Sequence, residues 1–290
     1  MEQFLIKLIE LVWKLERSNL HMLNNKVQRF IETYQIFQED LIQQTQLQHR
    51  IALVESFQIE PGMRVLEIGC GQGDTTMVLA DAVGEGGHVT AIDIASGDYG
   101  APTTLAEAHA YLKASALGHR ITFHVETDFI NFEMTERYDV IVLSHCSWYF
   151  KSKEQLELYF KRMRAYCTRV CFAEWDLDFT KMTQRSHFCA VSILALYSTF
   201  VQNDGNIQNT FLKKQIVEIA EQSQFQIVKH EIVDASFLQD GAWEVDYANS
   251  ISSEFRDVAE SVQILVDTYY QMMNSKQEME SLNSFVYVFE

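Results

Sequence analysis

The sequence predicts an α/β fold: a doubly wound, mostly parallel sheet with an antiparallel C-terminal strand, plus helical lid insertions. Three observations predict it. Short apolar runs alternate with helix-like stretches between residues 63 and 175. A glycine-rich turn, "VLEIGCGQGD" (65–74), joins the first run to the helix behind it. Beyond 175 the alternation loosens into long aromatic-rich stretches, broken by strand-like runs at 225–233 and 284–289. Strands alternating with helices make parallel βαβ units. Near-continuous apolar runs suit strands buried on both faces.

The elements follow in order. Residues 3–57 read as helical, with Phe4, Leu8, Leu11 and Leu15 at helical spacing and soft breaks near Ser18-Asn19 and Asn24-Asn25. Pro61-Gly62 punctuates sharply in a chain with 2 prolines. Strands are expected at 63–69, 88–94, 120–128, 138–145 and 169–175. Helices are expected at 74–84, 103–118 and 153–167, the first two stopped by Gly84 and Gly118. Gly86 and Gly87 read as plain turn residues. Residues 186–202 are too long and apolar for a surface loop. A helix at 210–223 and one or two aromatic-rich helices at 243–274 complete the set. The expected organisation is an N-terminal helical lid or interface segment (1–45), a Rossmann-like core (46–175), a lid insertion (176–209), a core helix and strand (210–233), a second lid insertion (234–281) and a core strand (282–290).

Composition narrows the partners. With 23 Lys+Arg against 40 Asp+Glu the formal net charge is −17, a field that repels nucleic-acid backbones and anionic membrane surfaces. No run approaches the ~20 apolar residues of a membrane span, and the N-terminus has no cleavage-site pattern. The 5 cysteines (70, 146, 167, 171, 189) show no CxxC spacing, so they read as free thiols of a cytoplasmic protein, with no metal expected.

The glycine turn carries the chemistry. Gly69, Gly71 and Gly73 give GxGxG, whereas a dinucleotide fingerprint needs glycine at position 74, which is Asp. A helix N-terminus normally attracts pyrophosphate. Here Glu67 and Asp74 flank it and oppose a dianion. A ligand with a cationic end and no phosphate fits better.

On these residues "VLEIGCGQG" resembles the first motif of class I S-adenosylmethionine-dependent methyltransferases, of the small-molecule type. The resemblance spans roughly 45–175, returning at 210–233 and 284–290. It implies S-adenosyl-L-methionine as cofactor. It assigns Glu67 to the methionine moiety, Gly69, Gly71 and Gly73 to close backbone approach, and Asp93, with Ile94 beside it, to the ribose hydroxyls. Asp128 goes to the adenine amino group and Phe129 lies beside the ring. A glutamine at the position of Gln46 reaches the cofactor in some relatives, and Ser144 and His145 lie beside it.

On the acceptor side, "SHCSWYF" (144–150) lacks the [DNS]PP[YF] motif of DNA adenine and protein glutamine methylation. His145 is the candidate base. Trp148 and Tyr149 are candidates for packing on the acceptor or facing the sulfonium, and Glu174, Trp175 and Asp176 for lining the same mouth. His187 reads as a helix-start residue. The lid aromatics, with Trp175, Tyr197, Trp243 and Tyr247 as substrate contacts, would enclose an apolar or aromatic small molecule. They could equally serve self-association, and the stripe from Phe4 to Ile31 is the expected dimer surface. A non-catalytic cofactor-binding scaffold, an NAD-dependent oxidoreductase and a protein methyltransferase are the alternatives.

Overall fold

A computed structural model describes residues 22–290, the side chains at 256 and 257 excepted. The expected stripe from Phe4 to Leu15 lies outside the described residues. Residues 22–34 form helix α1, followed by α2 (Leu41–Phe57). Then come β1 (Arg64–Ile68), α3 (Asp74–Val83), β2 (His88–Ile92), α4 (Leu105–Ala114), β3 (Ile121–His124), β4 (Val140–Ser144), α5 (Lys153–Tyr166) and β5 (Arg169–Trp175). The second half runs α6 (Arg185–Phe200), α7 (Lys213–Gln222), β6 (Ile227–Val233), α8 (Asp240–Ser250), α9 (Glu260–Met273) and β7 (Ser284–Phe289).

The 7-stranded sheet has the order β3-β2-β1-β4-β5-β7-β6. β1 through β5 pair in parallel. β7 slots antiparallel between β5 and β6, so the C-terminal strand is the reversed one, as expected. Strand order switches at β1, which pairs with both β2 and β4. A crevice opens there beyond the strands' carboxyl ends.

Three cores hold the chain together. On one sheet face, Leu47, Leu53 and Phe57 of α2 and Leu79 of α3 pack on Val65, Val140 and Val286. α1 joins this core through Val27, Phe30 and Ile31, each 5% exposed. That end of the expected dimer stripe is therefore spent inside the chain. On the opposite face, Phe160 of α5 and Ile216 and Ile219 of α7 pack on Phe172 and Phe289. The third core lies among α6, α8 and α9, where Ile193, Leu194, Ala248 and Val266 enclose Trp148 and Trp175. Each large side chain so buried contributes about 2 kcal/mol. The two insertions thus form one helical cap at the carboxyl edge of the sheet. Buried His187 ties it down: its Nδ1 accepts from the Leu282 N–H at 2.8 Å, and its Nε2 donates to Glu244 at 2.9 Å. It sits in the first turn of α6, where the sequence placed a helix-start residue.

Boundaries shift at one informative place. The run 120–128 ends as a strand at His124, because Glu126 turns off with a positive φ of 52° and its N–H bonds to Ala95. This turn delivers Thr127 and Phe129 to the crevice. All five cysteines are free and buried.

Candidate functional site

The glycine turn is built by β1 ending at Ile68 and α3 starting at Asp74. Gly69, Gly71 and Gly73 have φ of 75°, 51° and 95°, a region that L side chains enter at a cost. The Gly69 and Cys70 N–H groups both donate to Ile92 O, at 2.9 and 3.1 Å. This lashes the turn to the end of β2, where Asp93 follows. The Asp93 carboxylate accepts from Gly71 N at 2.8 Å and from Ala95 N at 2.9 Å. An ionised carboxylate has about four acceptor sites, so both oxygens keep a lone pair for a ligand.

Against this turn lies a cavity of about 400 Å³. Of the residues expected to meet the cofactor, it is lined by Glu67, Gly69, Gly71, Asp93, Ile94 and Phe129, with Ser144 at the far wall. His145 and Tyr149 line it as well. Ser144 Oγ is buried and has no hydrogen-bond partner among the described residues. Such an atom calls for a partner from a ligand or an ordered water.

Other expected residues sit nearby but off the cavity. Gln46 spends its amide on Asp240 of α8, at 2.8 Å. Gly73 caps α3, and a Cβ there would meet Leu112 at 2.6 Å. Asp128 is held by the Tyr159 hydroxyl at 2.6 Å and by Ile130 N at 3.0 Å. Trp148 and Trp175 belong to the cap core. Tyr197 packs its ring on Phe255 at 5.9 Å. Trp243 and Tyr247 are exposed on α8. Glu174 accepts from Ser147 N and Oγ at 3.0 and 2.8 Å, and Asp176 pairs with Lys213 at 2.8 Å.

The sequence reading missed Arg50, which lines the cavity one helical turn beyond Gln46. The i,i+4 spacing puts both on one face of α2, and that is the signal that could have found it. Tyr159 and Tyr99 line the cavity as well.

The electrostatics are lopsided. Burial pushes the Glu67 carboxyl up to about 8, the Thr76 hydroxyl pulls it back, and neighbouring Asp74 adds to the push. Burial also pushes Asp74 up, with Arg50 opposing. The cavity thus carries the Arg50 guanidinium and two carboxyls, Glu67 and Asp74, pushed toward their neutral forms, which a cationic group beside them would draw back into ionisation. The fold and the cavity together define an α/β protein with a ligand site at its glycine turn, beyond the carboxyl ends of the strands.

Comparisons with known proteins converge on that class. Residues 65–169 match the family model described as a methyltransferase domain. A solved cyclopropane-fatty-acyl-phospholipid synthase-like protein from Lactobacillus casei is 37% identical, with a TM-score of 0.79 over 86% of this chain and 91% of that one. A methyltransferase, phomM, of Diaporthe leptostromiformis is 34% identical over 134 residues, 39% of this chain and 35% of that protein. The chain thus matches about a third of the length of that curated relative. A solved candidate methyltransferase of Bacillus halodurans has the same fold, with a TM-score of 0.55 at 14% identity over 83% and 97% of the two chains.

The chain belongs to the class I S-adenosylmethionine-dependent methyltransferases. S-adenosylmethionine is the cofactor of that family, and the cavity fits it: Asp93 keeps lone pairs for a ligand's hydroxyls, Ser144 Oγ lacks a partner, and Glu67 and Asp74 can ionise beside a cationic end. Among the described residues, no group of three or more His, Cys, Asp or Glu is placed to hold a metal ion. No described helix is long and apolar enough to cross a membrane.

Proposed function

We propose that this chain transfers a methyl group from S-adenosylmethionine to a small apolar or aromatic molecule taken up beneath the α6–α8–α9 cap. The observation that carries the reading is the carboxylate-flanked glycine turn with Asp93 behind it. In this reading Asp93 accepts the ribose hydroxyls, and Ile94 and Phe129 flank the adenine. Asp128, steadied by Tyr159, keeps lone pairs for the adenine amino group. Arg50 pairs with the methionine carboxylate, and Glu67 faces the ammonium end. When bound, the cofactor supplies a methyl made electrophilic by the sulfonium. The protein's part is alignment and exclusion of water. Ser144, His145 and Tyr149 stand at the acceptor end, and Trp148 braces the wall behind them.

Trp175, Tyr197, Trp243 and Tyr247 are assigned to the acceptor only through movement of the cap, since none lines the cavity as it stands. The net charge of −17 argues against nucleic acid and anionic membrane surfaces as partners and suits a cytoplasmic enzyme. Any homodimer would use surface other than the buried face of α1.

The test is formation of S-adenosylhomocysteine from the methyl donor over a panel of small nucleophiles. The panel should include fatty-acyl phospholipid, the class in the name of the Lactobacillus casei relative. Acceptor-dependent product above the acceptor-free background supports the enzyme. Tight cofactor binding with no product across oxygen, nitrogen and carbon acceptors favours a non-catalytic scaffold instead.

Protonation gives a second expectation. The folded-state value of Glu67 is raised, so between its ordinary value and about 8 the folded chain holds more protons than the unfolded one. The free protein therefore loses stability as pH climbs through that window. A cationic ligand beside Glu67 favours its carboxylate, so cofactor uptake at about pH 6.5 releases close to one proton. Titration calorimetry in buffers of different ionisation enthalpy reads this directly. The release fades toward zero above about pH 9, and Glu67→Gln abolishes it.

A further inference from the structure

A buried chain of side chains runs from the cavity into the protein and back to it. Arg50 Nη1 lies 3.0 Å from His49 Nδ1. His49 Nε2 lies 2.9 Å from Ser284 Oγ, and the same Oγ lies 3.0 Å from His145 Nε2. His145 Nδ1 lies 3.3 Å from Glu174 Oε1, close by but without a hydrogen bond to it. His49 and Ser284 are fully buried and Glu174 is 2% exposed. The links come from α2, β7, the turn after β4, and the end of β5. Arg50 and His145 line the cavity, and His49 and Ser284 do not.

The direction of every proton in this chain follows from its first member. A guanidinium only donates, so His49 Nδ1 accepts and the His49 proton sits on Nε2. That N–H donates to Ser284 Oγ. The serine's own proton is then free for His145 Nε2, which accepts it. The His145 proton is left on Nδ1, beside the Glu174 carboxylate. The environment of His49 agrees with a neutral ring, since burial, then the Arg50 charge and then His145 hold its pKa well below the usual imidazole value. The Glu174 carboxylate is itself fixed by the Ser147 N–H and hydroxyl and by Trp175 N at 3.0 Å. His145 sits in the left-handed region with φ 52° and edges onto Trp175 at 4.6 Å, so its ring has a defined seat.

We propose that Ser284 is a positioning residue. Through it and His49, Arg50 locks His145 as the neutral Nδ1–H tautomer, with its Nε2 lone pair turned away from the cavity into the protein. For His145 to hold a proton at Nε2, Ser284 must turn its hydroxyl proton away and accept from both rings, and while Arg50 keeps the His49 proton on Nε2 that buried hydroxyl proton is left with no histidine nitrogen to donate to. The tautomer of His145 is thus set by the Arg50 cation on the other side of the chain of hydrogen bonds. This deepens the proposed function and takes its significance from it, but the tautomers are a property of the free protein. Their test needs no cofactor, so its failure leaves cofactor binding, measured separately, untouched.

The test is nitrogen-15 NMR of the histidine rings in the full chain near pH 8, with assignments from His→Gln variants. Protonated and bare ring nitrogens resonate in well-separated ranges. The expected pattern is His49 protonated at Nε2 and His145 at Nδ1. His187 serves as an internal fold reference, because Leu282 N and Glu244 fix its proton on Nε2. In Ser284→Ala, His145 loses its Nδ1–H preference while His49 and His187 keep theirs. In Arg50→Met, a change two links away, His49 is released and His145 follows. Should Ser284→Ala lose the His187 signature and so the fold, Arg50→Met decides alone. A wild-type His145 carrying its proton on Nε2, alone or on both nitrogens, overturns the proposal. So does a His145 unmoved by Arg50→Met, or by a folded Ser284→Ala.

Discussion

Gly69→Ala is expected to lower the melting temperature by on the order of 10 °C. Two costs add at this position. The backbone holds φ at 75°, which costs an L side chain about 1–2 kcal/mol. The new Cβ would also lie 2.6 Å from Cys146 Cβ and 3.1 Å from its Sγ. Cys146 follows β4 and donates to Ile68 O at 3.2 Å, so its Cβ moves only if the β4 exit moves. Overpacking of this kind costs about 1–3 kcal/mol more. A total of about 2–5 kcal/mol at about 2–4 °C per kcal/mol gives a shift of the stated order. Gly71→Ala is the informative companion. Its φ is also positive, at 51°, but nothing lies within 4 Å of the added carbon, and Gly71 lines the cavity. It should cost only about 1–2 kcal/mol of stability while weakening cofactor uptake strongly. Thermal unfolding of both variants, with and without S-adenosylhomocysteine, checks the contrast. Equal melting points for Gly69→Ala and the parent would contradict the packing described at the turn.

Asp93→Ala is expected to raise the dissociation constant for S-adenosylhomocysteine by ~10²–10⁴. In the proposed reading the carboxylate accepts both ribose hydroxyls, and a hydrogen bond to a charged acceptor is worth about 1.5–3 kcal/mol. Removing it also frees the Gly71 and Ala95 N–H groups, which loosens the turn itself. Asp93→Asn keeps one carbonyl oxygen and should fall between, at roughly 10–100-fold. Calorimetric titration of the three proteins orders them. An Asp93→Ala protein that binds like the parent would remove Asp93 from the site.

What the sequence disclosed and what it hid divide along one physical line. The strands, the turn and Asp93 were legible because their signals are local: apolar runs, glycines at required dihedrals, a carboxylate at a strand end. Arg50 was hidden because helical spacing says which residues share a face, and only docking of α2 says which reaches the cavity. Gln46 turned instead to Asp240. The cap aromatics misled for a similar reason. Their number predicts burial, but Trp148 and Trp175 fill the cap's own core, while Trp243 and Tyr247 face solvent. Ser284 and His49 carried no local signal at all. Ser284 stands opposite Trp175 because β7 runs antiparallel beside β5 in that register, and the docking of α2 on the sheet brings His49, 235 positions away in sequence, within a hydrogen bond of it.

The central claim is that a glycine turn set between Glu67, Asp74 and Asp93 admits a sulfonium nucleoside and refuses a diphosphate. Parallel calorimetric titrations of the purified protein with S-adenosylmethionine, S-adenosylhomocysteine and NAD test it most directly. The account predicts saturable binding of the first two and no measurable heat from NAD. Saturable binding of NAD with no uptake of the methyl donor would contradict it.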